Sequence, residues 1–98
     1  MLLIARAAQD DIRAAALWYE QQQQGLGAEF INDIDKSLIR IENAPMQFPF
    51  RYLDMRRALV RRFPYAVYFE VLRSGDNLVK AVLHQRQDQA ILDERLKR

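Results

Sequence analysis

Residues 66–84, AVYFEVLR-SGDN-LVKAVLH, are the stretch that decides the fold. Ala66 to Arg73 and Leu78 to His84 are rich in apolar side chains, which is typical of buried strands. The four polar residues between them form a strong turn signal. The stretch therefore predicts a β-hairpin. The two faces of its first strand carry Val67, Phe69 and Val71 on one side, and Tyr68, Glu70 and Leu72 on the other.

The segment before the hairpin also has a period of two. Over Arg57 to Phe63, Ala58 and Val60 would share one face with Arg62, and Leu59 and Phe63 the other with Arg61, which predicts a third strand. Because Arg61 and Arg62 are neighbours on that predicted strand, we expect one side chain to point outward and the other to lie near the sheet's edge. Pro45 to Asp54 contains two prolines and predicts a loop.

The first half of the chain has the period of an α-helix. We expect a helix from Ala8 to about Gln24 that stops at Gly25. A second helix should follow Gly27 and end before Pro45, packed antiparallel on the first. Leu2 to Ala5 predicts a first strand. The second helix is expected to bury Phe30, Ile34, Leu38 and Ile41 and to direct Asp33, Lys36 and Arg40 elsewhere.

The element order is therefore β-α-α-β-β-β, with a possible short helix over Ala90 to Arg98 that uses Ile91, Leu92 and Leu96. Strands that mostly follow helices predict an α+β fold, in which a helical hairpin lies on one antiparallel sheet. The N-terminal strand must join the three-stranded meander in that sheet, because a strand this short forms nothing stable by itself. We expect residues 1–98 to form one domain, since 98 residues are too few for two.

Composition narrows the possible functions. There is no cysteine, and His84 is the one histidine, so we expect no metal site and no cofactor. Neither a secretory signal nor a membrane span is evident, and we expect a soluble, cytoplasmic protein without a membrane partner. Residues 1–49 carry four basic and seven acidic residues, a net charge of −3, whereas residues 50–98 carry eleven and six, a net charge of +5. A basic second half favours nucleic acid or an acidic protein as partner.

The candidate functional residues lie in that basic half. Arginines hold phosphates or carboxylates with paired hydrogen bonds, and tyrosines nearby can stack or donate. The ordinary alternative is that alternating arginines form a solvated face that discourages strand pairing with other chains. For His84, the ordinary alternative is a hydrogen bond to the backbone. The candidates are Arg61, Arg62, Tyr65, Tyr68, His84 and Arg86.

Two motifs carry a resemblance to a known family. The segment Arg61 to Phe69, RRFPYAVYF, resembles the central strand of the ParE/RelE toxin superfamily, and His84-Gln85-Arg86 is similar to the His-x-Arg-Arg ending of its ParE branch. The element order matches along essentially the whole chain. The chain departs from the pattern at Gln87, which replaces the second arginine, and at Gln89, where a proline often stands. The N-terminal half is also similar, at Ala8, Asp11, Ile12, Tyr19, Gly25 and Phe30.

This resemblance implies the toxin of a type II toxin–antitoxin system, of the plasmid-stabilisation kind, with a cognate antitoxin as partner. In the ParE branch the target is DNA gyrase, which implies a binding toxin rather than an enzyme. In the RelE branch it is mRNA on the ribosome, and His84 would then act as acid or base while Arg61, Arg62 and Arg86 hold phosphate charge. No tyrosine follows Tyr68, so the C-terminal tyrosine of RelE is missing. A third reading is a non-toxic antitoxin-binding module, which the change at Gln87 motivates.

Some apolar side chains should stay exposed, because one small sheet cannot cover both helices. Trp18, Leu26 and Phe50 are candidates, since each lies off or at the end of its element's apolar stripe. An exposed apolar patch of this kind marks an interaction site. We expect it to bind the antitoxin, and the protein by itself to form a homodimer or to aggregate.

Overall fold

The structure is a computed structural model that describes residues 1–96. Within these residues, three helices and five strands form an α+β fold. The helical hairpin lies on one face of the sheet, as the sequence predicts. The sheet order is β1-β5-β4-β3-β2. The elements are β1 (Leu2–Ile4), α1 (Arg6–Gln22), α2 (Leu26–Asn43), a 3-10 turn (Pro45–Gln47), β2 (Phe50–Tyr52), β3 (Met55–Leu59), β4 (Tyr65–Val71), β5 (Asn77–His84) and α3 (Asp88–Leu96).

The predicted hairpin forms the centre of the sheet. β4 and β5 pair antiparallel from Tyr65 opposite His84 to Val71 opposite Asn77. The inner face of β4 packs against the helices through Val67 and Phe69, as expected. The stripe on α2 is also confirmed, because its four apolar residues are all buried in the same core. Asp33 is an exception, since it is buried rather than directed to solvent.

The turn between the two helices lies two residues earlier in the chain than the sequence suggests. α1 ends at Gln22, two residues before the predicted end, and Gly25 takes φ +90° just before α2. Gly27 does not separate the helices but lies inside α2, where a Cβ would come within 2.7 Å of the carbonyl oxygen of Ala16. The carboxylate of Glu20 accepts hydrogen bonds from the amides of Gly25 and Gly27 at 3.0–3.1 Å, which satisfies donors at the start of α2.

The sheet has one more strand than expected. Phe50–Tyr52, predicted as loop, forms β2 and pairs antiparallel with β3. β3 ends at Leu59, so the predicted strand through Phe63 is wrong in its second half. Arg61 and Arg62 therefore lie in a bend and not on opposite faces of a strand. Phe63, in the same bend, turns inward and joins the core.

The outer face of the sheet is covered by α3. Leu92 packs into a second cluster on Tyr68, which is wholly buried there with Met55, Ala66, Ala81 and Leu83. Tyr68, which the sequence makes a candidate contact residue, is therefore not exposed to a partner, because a C-terminal helix covers that face. The predicted end of this helix at Arg98 and the side chain of Leu96 lie outside the described residues.

β1 places the N-terminus beside the last strand. It runs parallel to β5, with Leu2 opposite Asn77 and Ile4 opposite Val79. Beyond Ile4 the chain leaves the sheet as α1, so β1 covers only the first part of β5. Among residues 1–96, no strand pairs with the rest of this edge, through His84.

Candidate functional site

A cavity of about 660 Å³ lies between α1 and the uncovered end of β5. Its volume is within the range of small-molecule and side-chain binding pockets, about 300–1,000 Å³. α1 contributes one face at helical spacing, β5 contributes its last three residues, and the β5–α3 connection closes the end. The lining residues are Asp11, Ala14, Ala15, Trp18, Tyr19, Tyr65, Val82, Leu83, His84, Arg86, Gln87 and Ile91.

Four of the predicted residues meet in this cavity: Trp18, Tyr65, His84 and Arg86. They come from α1, β4, β5 and the connection to α3, so only the tertiary fold brings them together. Trp18 is 56% exposed, which agrees with the expectation of an uncovered apolar residue on α1. Its ring meets that of Tyr19 edge-on, with centroids 5.1 Å apart.

An aromatic wall connects the cavity to the core. Tyr65 lies edge-on to His84, with centroids 5.4 Å apart, and to Phe30 at 5.1 Å. Tyr19 stacks on Phe30 at 5.3 Å and contacts Phe63 at 4.8 Å. Burial raises the pKa of Tyr19, and burial together with the neighbouring Tyr19 and Asp11 raises that of Tyr65. Both phenols therefore stay protonated at neutral pH and can act as hydrogen-bond donors.

The backbone of the β5–α3 connection fixes His84. Its Nδ1 accepts a hydrogen bond of 3.1 Å from the amide of Arg86, and its carbonyl accepts one of 2.9 Å from the amide of Gln87. With Nδ1 in use as an acceptor, a neutral imidazole carries its proton on Nε2. The ordinary alternative for this histidine, a hydrogen bond to the backbone, is therefore observed at Nδ1. It does not account for Nε2.

Asp11 closes the other end of the cavity. Its carboxylate accepts the amide of Val82 at 2.9 Å and forms two bonds of 2.6 Å with the guanidinium of Arg95 on α3. Arg95 also donates to the carbonyl of Lys80 at 3.3 Å. The hydrogen bond to Asp11 raises the pKa of Arg95 despite its partial burial. The negative charge of Asp11 is therefore balanced by the positive charge of Arg95.

Arg61 and Arg62 do not line the cavity. The guanidinium of Arg62 pairs with Glu29 of α2 at 2.6 Å, where both side chains are about half exposed, and its amide donates to Asp33 at 2.9 Å. Arg61 is exposed in the same bend and close enough to Arg40 to lower the pKa of Arg40, after the larger effect of burial. The two arginines thus form a basic bend held on α2.

The other predicted contact residues lie elsewhere. Phe50 is 62% exposed, as expected, but it lies on β2 at the far edge of the sheet, 4.1 Å below the guanidinium of Arg56. Leu26 is only partly exposed and packs against the core. The apolar patch predicted from Trp18, Leu26 and Phe50 is therefore not one surface.

Sequence reasoning missed Asp11, Ala14 and Arg95. The first two follow from the face of α1 that also carries Trp18, at spacings of three and four residues. Nothing in the sequence around Arg95 indicates a role at this site, because its partner Asp11 lies 84 residues away in the chain. Within residues 1–96, the structure groups no His, Asp or Glu side chains that could hold a metal ion. None of the helices in that range is long and apolar enough to cross a membrane.

The sequence of residues 2–89 matches the family described as ParE toxin of type II toxin-antitoxin system, parDE. The chain belongs to this ParE toxin family. No curated protein matches the sequence. The family match covers every strand, both helices of the hairpin and all of the cavity except Ile91. The chain is therefore a toxin of the type II toxin–antitoxin class by family.

Two solved structures share the fold of this ParE-family chain. A structure described as the chromosomal ParDE TA system from P. aeruginosa has a TM-score of 0.72 at 17% identity, over 85% of this chain and 92% of that one. The isolated E. coli RelE toxin has a TM-score of 0.64 at 15% identity, over 96% and 93%. At these identities the likeness concerns the fold, and both branches of the ParE/RelE superfamily have it.

Proposed function

We propose that this ParE-family chain acts in the cytoplasm as a toxin that inhibits DNA gyrase and that a cognate antitoxin neutralises it. The observation that carries the proposal is the separation of the groups that a ribonuclease would need together. His84 and Arg86 line the cavity, whereas Arg61 and Arg62 lie in the bend on α2. A binding toxin needs no such convergence, since it acts by contact.

The ion pairing of the basic side chains also favours a binding toxin over a ribonuclease. Phosphoryl chemistry needs cations positioned around the reacting phosphate, but Arg62 is already paired with Glu29. Tyr68 is buried beneath α3 and cannot reach a substrate in this conformation. The basic bend and the aromatic cavity are instead two separate surfaces, which provides one for each of the two proposed partners.

The test compares two activities of the same purified protein. Inhibition of gyrase supercoiling with uncut message in a ribosome toeprinting assay is the expected result. Arg61→Ala should weaken gyrase inhibition without unfolding the protein, because an exposed charge seldom contributes more than about 1 kcal/mol to stability. Arg73→Ala, at the β4–β5 turn, is the matched control. Cut message with normal supercoiling would overturn the proposal.

A ribosome-dependent ribonuclease is the second candidate, because Tyr65, His84 and Arg86 share one cavity. If that is the activity, His84→Ala should slow cleavage by roughly 10²–10⁴, the usual effect of losing a general acid or base. Under the gyrase reading the same substitution leaves message uncut at every concentration. A protein that binds antitoxin but fails both assays would be a non-toxic binding module.

A further inference from the structure

We propose that this chain holds its target protein with a surface at the β2 edge of the sheet, where the target presents an apolar pocket bordered by carboxylates. The surface, called the edge patch, consists of Met46, Phe50, Arg51, Leu53 and Arg56. This inference rests on the proposed function only for the identity of the target. The place and the chemistry of the contact follow from exposure, backbone strain and charge at the edge patch.

The edge patch exposes three large apolar side chains that are close in the sequence. Met46 is 65% exposed, Phe50 62% and Leu53 72%. Edge strands usually carry charged residues or proline instead, because an apolar edge invites aggregation. Aromatic residues, methionine and arginine are enriched where one protein binds another. The composition of the edge patch is therefore typical of a protein interface.

Arg56 holds the ring of Phe50 in place. The two residues are opposite each other in the pairing of β2 with β3, and the guanidinium lies over the ring, 4.1 Å from its centroid. The same guanidinium donates to the carbonyl of Phe48 at 2.6 Å, so the backbone fixes its position. An aromatic side chain that is already ordered loses little conformational entropy on binding. Phe50 is thus prepared to enter a pocket with its uncovered face and edge.

Leu53 lies in a backbone conformation that does not suit leucine. The turn between β2 and β3 consists of Leu53 and Asp54, and Leu53 takes φ +50°. Turns of this length need a positive φ at their first residue, which glycine or asparagine usually provides. Leucine is strained there, because its Cβ approaches the following carbonyl oxygen. Strain in an exposed apolar residue indicates a contact outside the chain.

A bulge at Arg51 favours contact through side chains rather than through the backbone. Phe50 pairs with Arg56, and Tyr52 pairs with Met55. Arg51 is therefore an extra residue in β2. A bulge on an edge strand interrupts the row of backbone donors and acceptors that another strand would need. A second copy of this chain is also disfavoured, because two paired edges would bring their arginines together.

The charge around the edge patch favours an acidic partner. Residues 46–62 contain five arginines and one aspartate, a net charge of +4, whereas the rest of the chain has ten basic and twelve acidic residues, a net charge of −2. Arg61 and Arg62 of the basic bend follow the other end of β3, whose five residues span about 15 Å. An ordinary protein interface covers about 800 Å² on each partner. One acidic protein can therefore contact the edge patch and the basic bend together.

Nucleic acid is the other anionic partner, and the edge patch suits it less well. Proteins hold single strands by stacking bases on exposed rings, but Arg56 already covers one face of Phe50. The aliphatic side chains of Met46 and Leu53 would remain in water beside a sugar–phosphate backbone. An apolar pocket would remove all three apolar side chains from water, which is favourable.

Leu53→Asn separates binding from folding. Asparagine adopts a positive φ more readily than leucine, so this variant should melt at the wild-type temperature or above it. Its affinity for purified gyrase and its inhibition of supercoiling should both fall at least tenfold. Leu17→Asn is the matched control, because Leu17 is 60% exposed on α1, and it should stay within twofold of the wild type. Equal inhibition by the two variants would contradict the inference.

The charge of the partner is tested with a second pair of variants. Arg51→Glu should weaken gyrase binding at least tenfold, whereas Arg73→Glu, at the β4–β5 turn, should leave it within twofold. Added salt should weaken binding of the wild type more than that of Arg51→Glu, because ions screen the attraction. Short duplex DNA and short single-stranded RNA are titrated with the same proteins. If Leu53→Asn and Arg51→Glu weaken only nucleic-acid binding, the edge patch binds nucleic acid and the inference is overturned.

Growth arrest on expression distinguishes this inference from the choice of target. If the wild type arrests growth but leaves supercoiling intact, gyrase is the wrong target. The inference then stands if Leu53→Asn and Arg51→Glu relieve the arrest while their two controls do not, and it fails otherwise. If all four variants inhibit gyrase like the wild type, the inference fails and the proposed function stands. A wild type that neither arrests growth nor inhibits gyrase overturns both.

Discussion

The guanidinium of Arg95 and the carboxylate of Asp11 form two hydrogen bonds of 2.6 Å that join the last helix to the first. The side chains are 26% and 13% exposed, so water screens the pair only partly. Because Asp11 also holds the amide of Val82, one carboxylate connects α1, α3 and the open edge of β5. The end of the cavity depends on this carboxylate.

Asp11→Ala should destabilise the protein by about 2–4 kcal/mol, since it removes two charge-assisted bonds and leaves the amide of Val82 unpaired. Arg95→Ala should cost less, because Asp11 then keeps Val82. Denaturant unfolding of both single variants and the double variant gives their coupling energy. A coupling below about 0.5 kcal/mol would show that the pair does not hold α3 in solution.

The contact between Tyr52 and Asp93 should make the docking of α3 sensitive to alkaline pH. The hydrogen bond to Asp93, then burial and the negative charge, raise the pKa of Tyr52 above its ordinary value of 10.0. A raised pKa means that the protonated form is favoured in the folded state. The contribution of this contact is therefore complete below pH 10.0 and is lost as pH rises through the folded pKa. Phenolate absorbance should show a lower pKa in Asp93→Asn, with Tyr52→Phe identifying the signal.

Gly27→Ala should destabilise the helical hairpin by about 1–3 kcal/mol, the usual cost of overpacking. The new Cβ would meet the carbonyl oxygen of Ala16, which is backbone and cannot move by itself. Gly25→Ala is the comparison, because it meets no atom within 4 Å but must adopt φ +90°. We expect it to cost about 1 kcal/mol. Thermal melts would contradict the packing argument if Gly25→Ala were the more harmful change.

Trp18→Ala should lower antitoxin affinity by 30-fold or more, the effect of losing about 2 kcal/mol at an interface anchor. Stability should change by no more than about 0.5 kcal/mol, because the side chain is mostly exposed. Leu17→Ala is the matched control, since Leu17 is 60% exposed on the same helix and lies outside the cavity. Titration calorimetry on both variants measures the difference. An equal loss at Leu17 would place the contact on another face of α1.

Asp33→Ala should cost about 1–3 kcal/mol, because the amide of Arg62 would lose its buried acceptor. Arg62→Ala keeps that amide and loses only a half-exposed ion pair with Glu29, so we expect no more than about 1 kcal/mol. The order of the two unfolding free energies is the result to measure. Its reversal would mean that the side chain of Arg62, and not its backbone, holds the bend.

The sequence predicts the central hairpin well, because alternation over Ala66 to Arg73 and the turn at Ser74 to Asn77 are local signals. It misplaces Arg61 and Arg62 for a physical reason. They continue the two-faced pattern predicted for Arg57 to Phe63, but Phe63 turns inward to pack on Tyr19 and Phe30. Phe63, which is buried, and Pro64 thus prevent the strand from continuing. Beyond Leu59 the period of two in the sequence does not correspond to a strand.

The site is only half predictable. Tyr65, His84 and Arg86 are candidates for their chemistry and family position, and Trp18 is one because it lies off the apolar stripe of its helix; the fold brings all four to one cavity. An accessible Tyr68 is the natural expectation, because antiparallel sheets often leave one face open, but α3, with its weak apolar period, covers this face. The pairing of Asp11 with Arg95, which are 84 residues apart, leaves no pattern in a single sequence.

The parallel pairing of β1 with β5 has a consequence for synthesis on the ribosome. Leu2 and Ile4 are made first, but their partners Asn77 and Val79 are made late. Contacts so distant in sequence form slowly and only after the intervening chain exists. Helices α1 and α2 can fold on each other early, yet they have no sheet to rest on until β5 has emerged. A chain released before Asn77 therefore lacks the whole strand that α1 and β1 border, and we expect such a truncated chain not to fold.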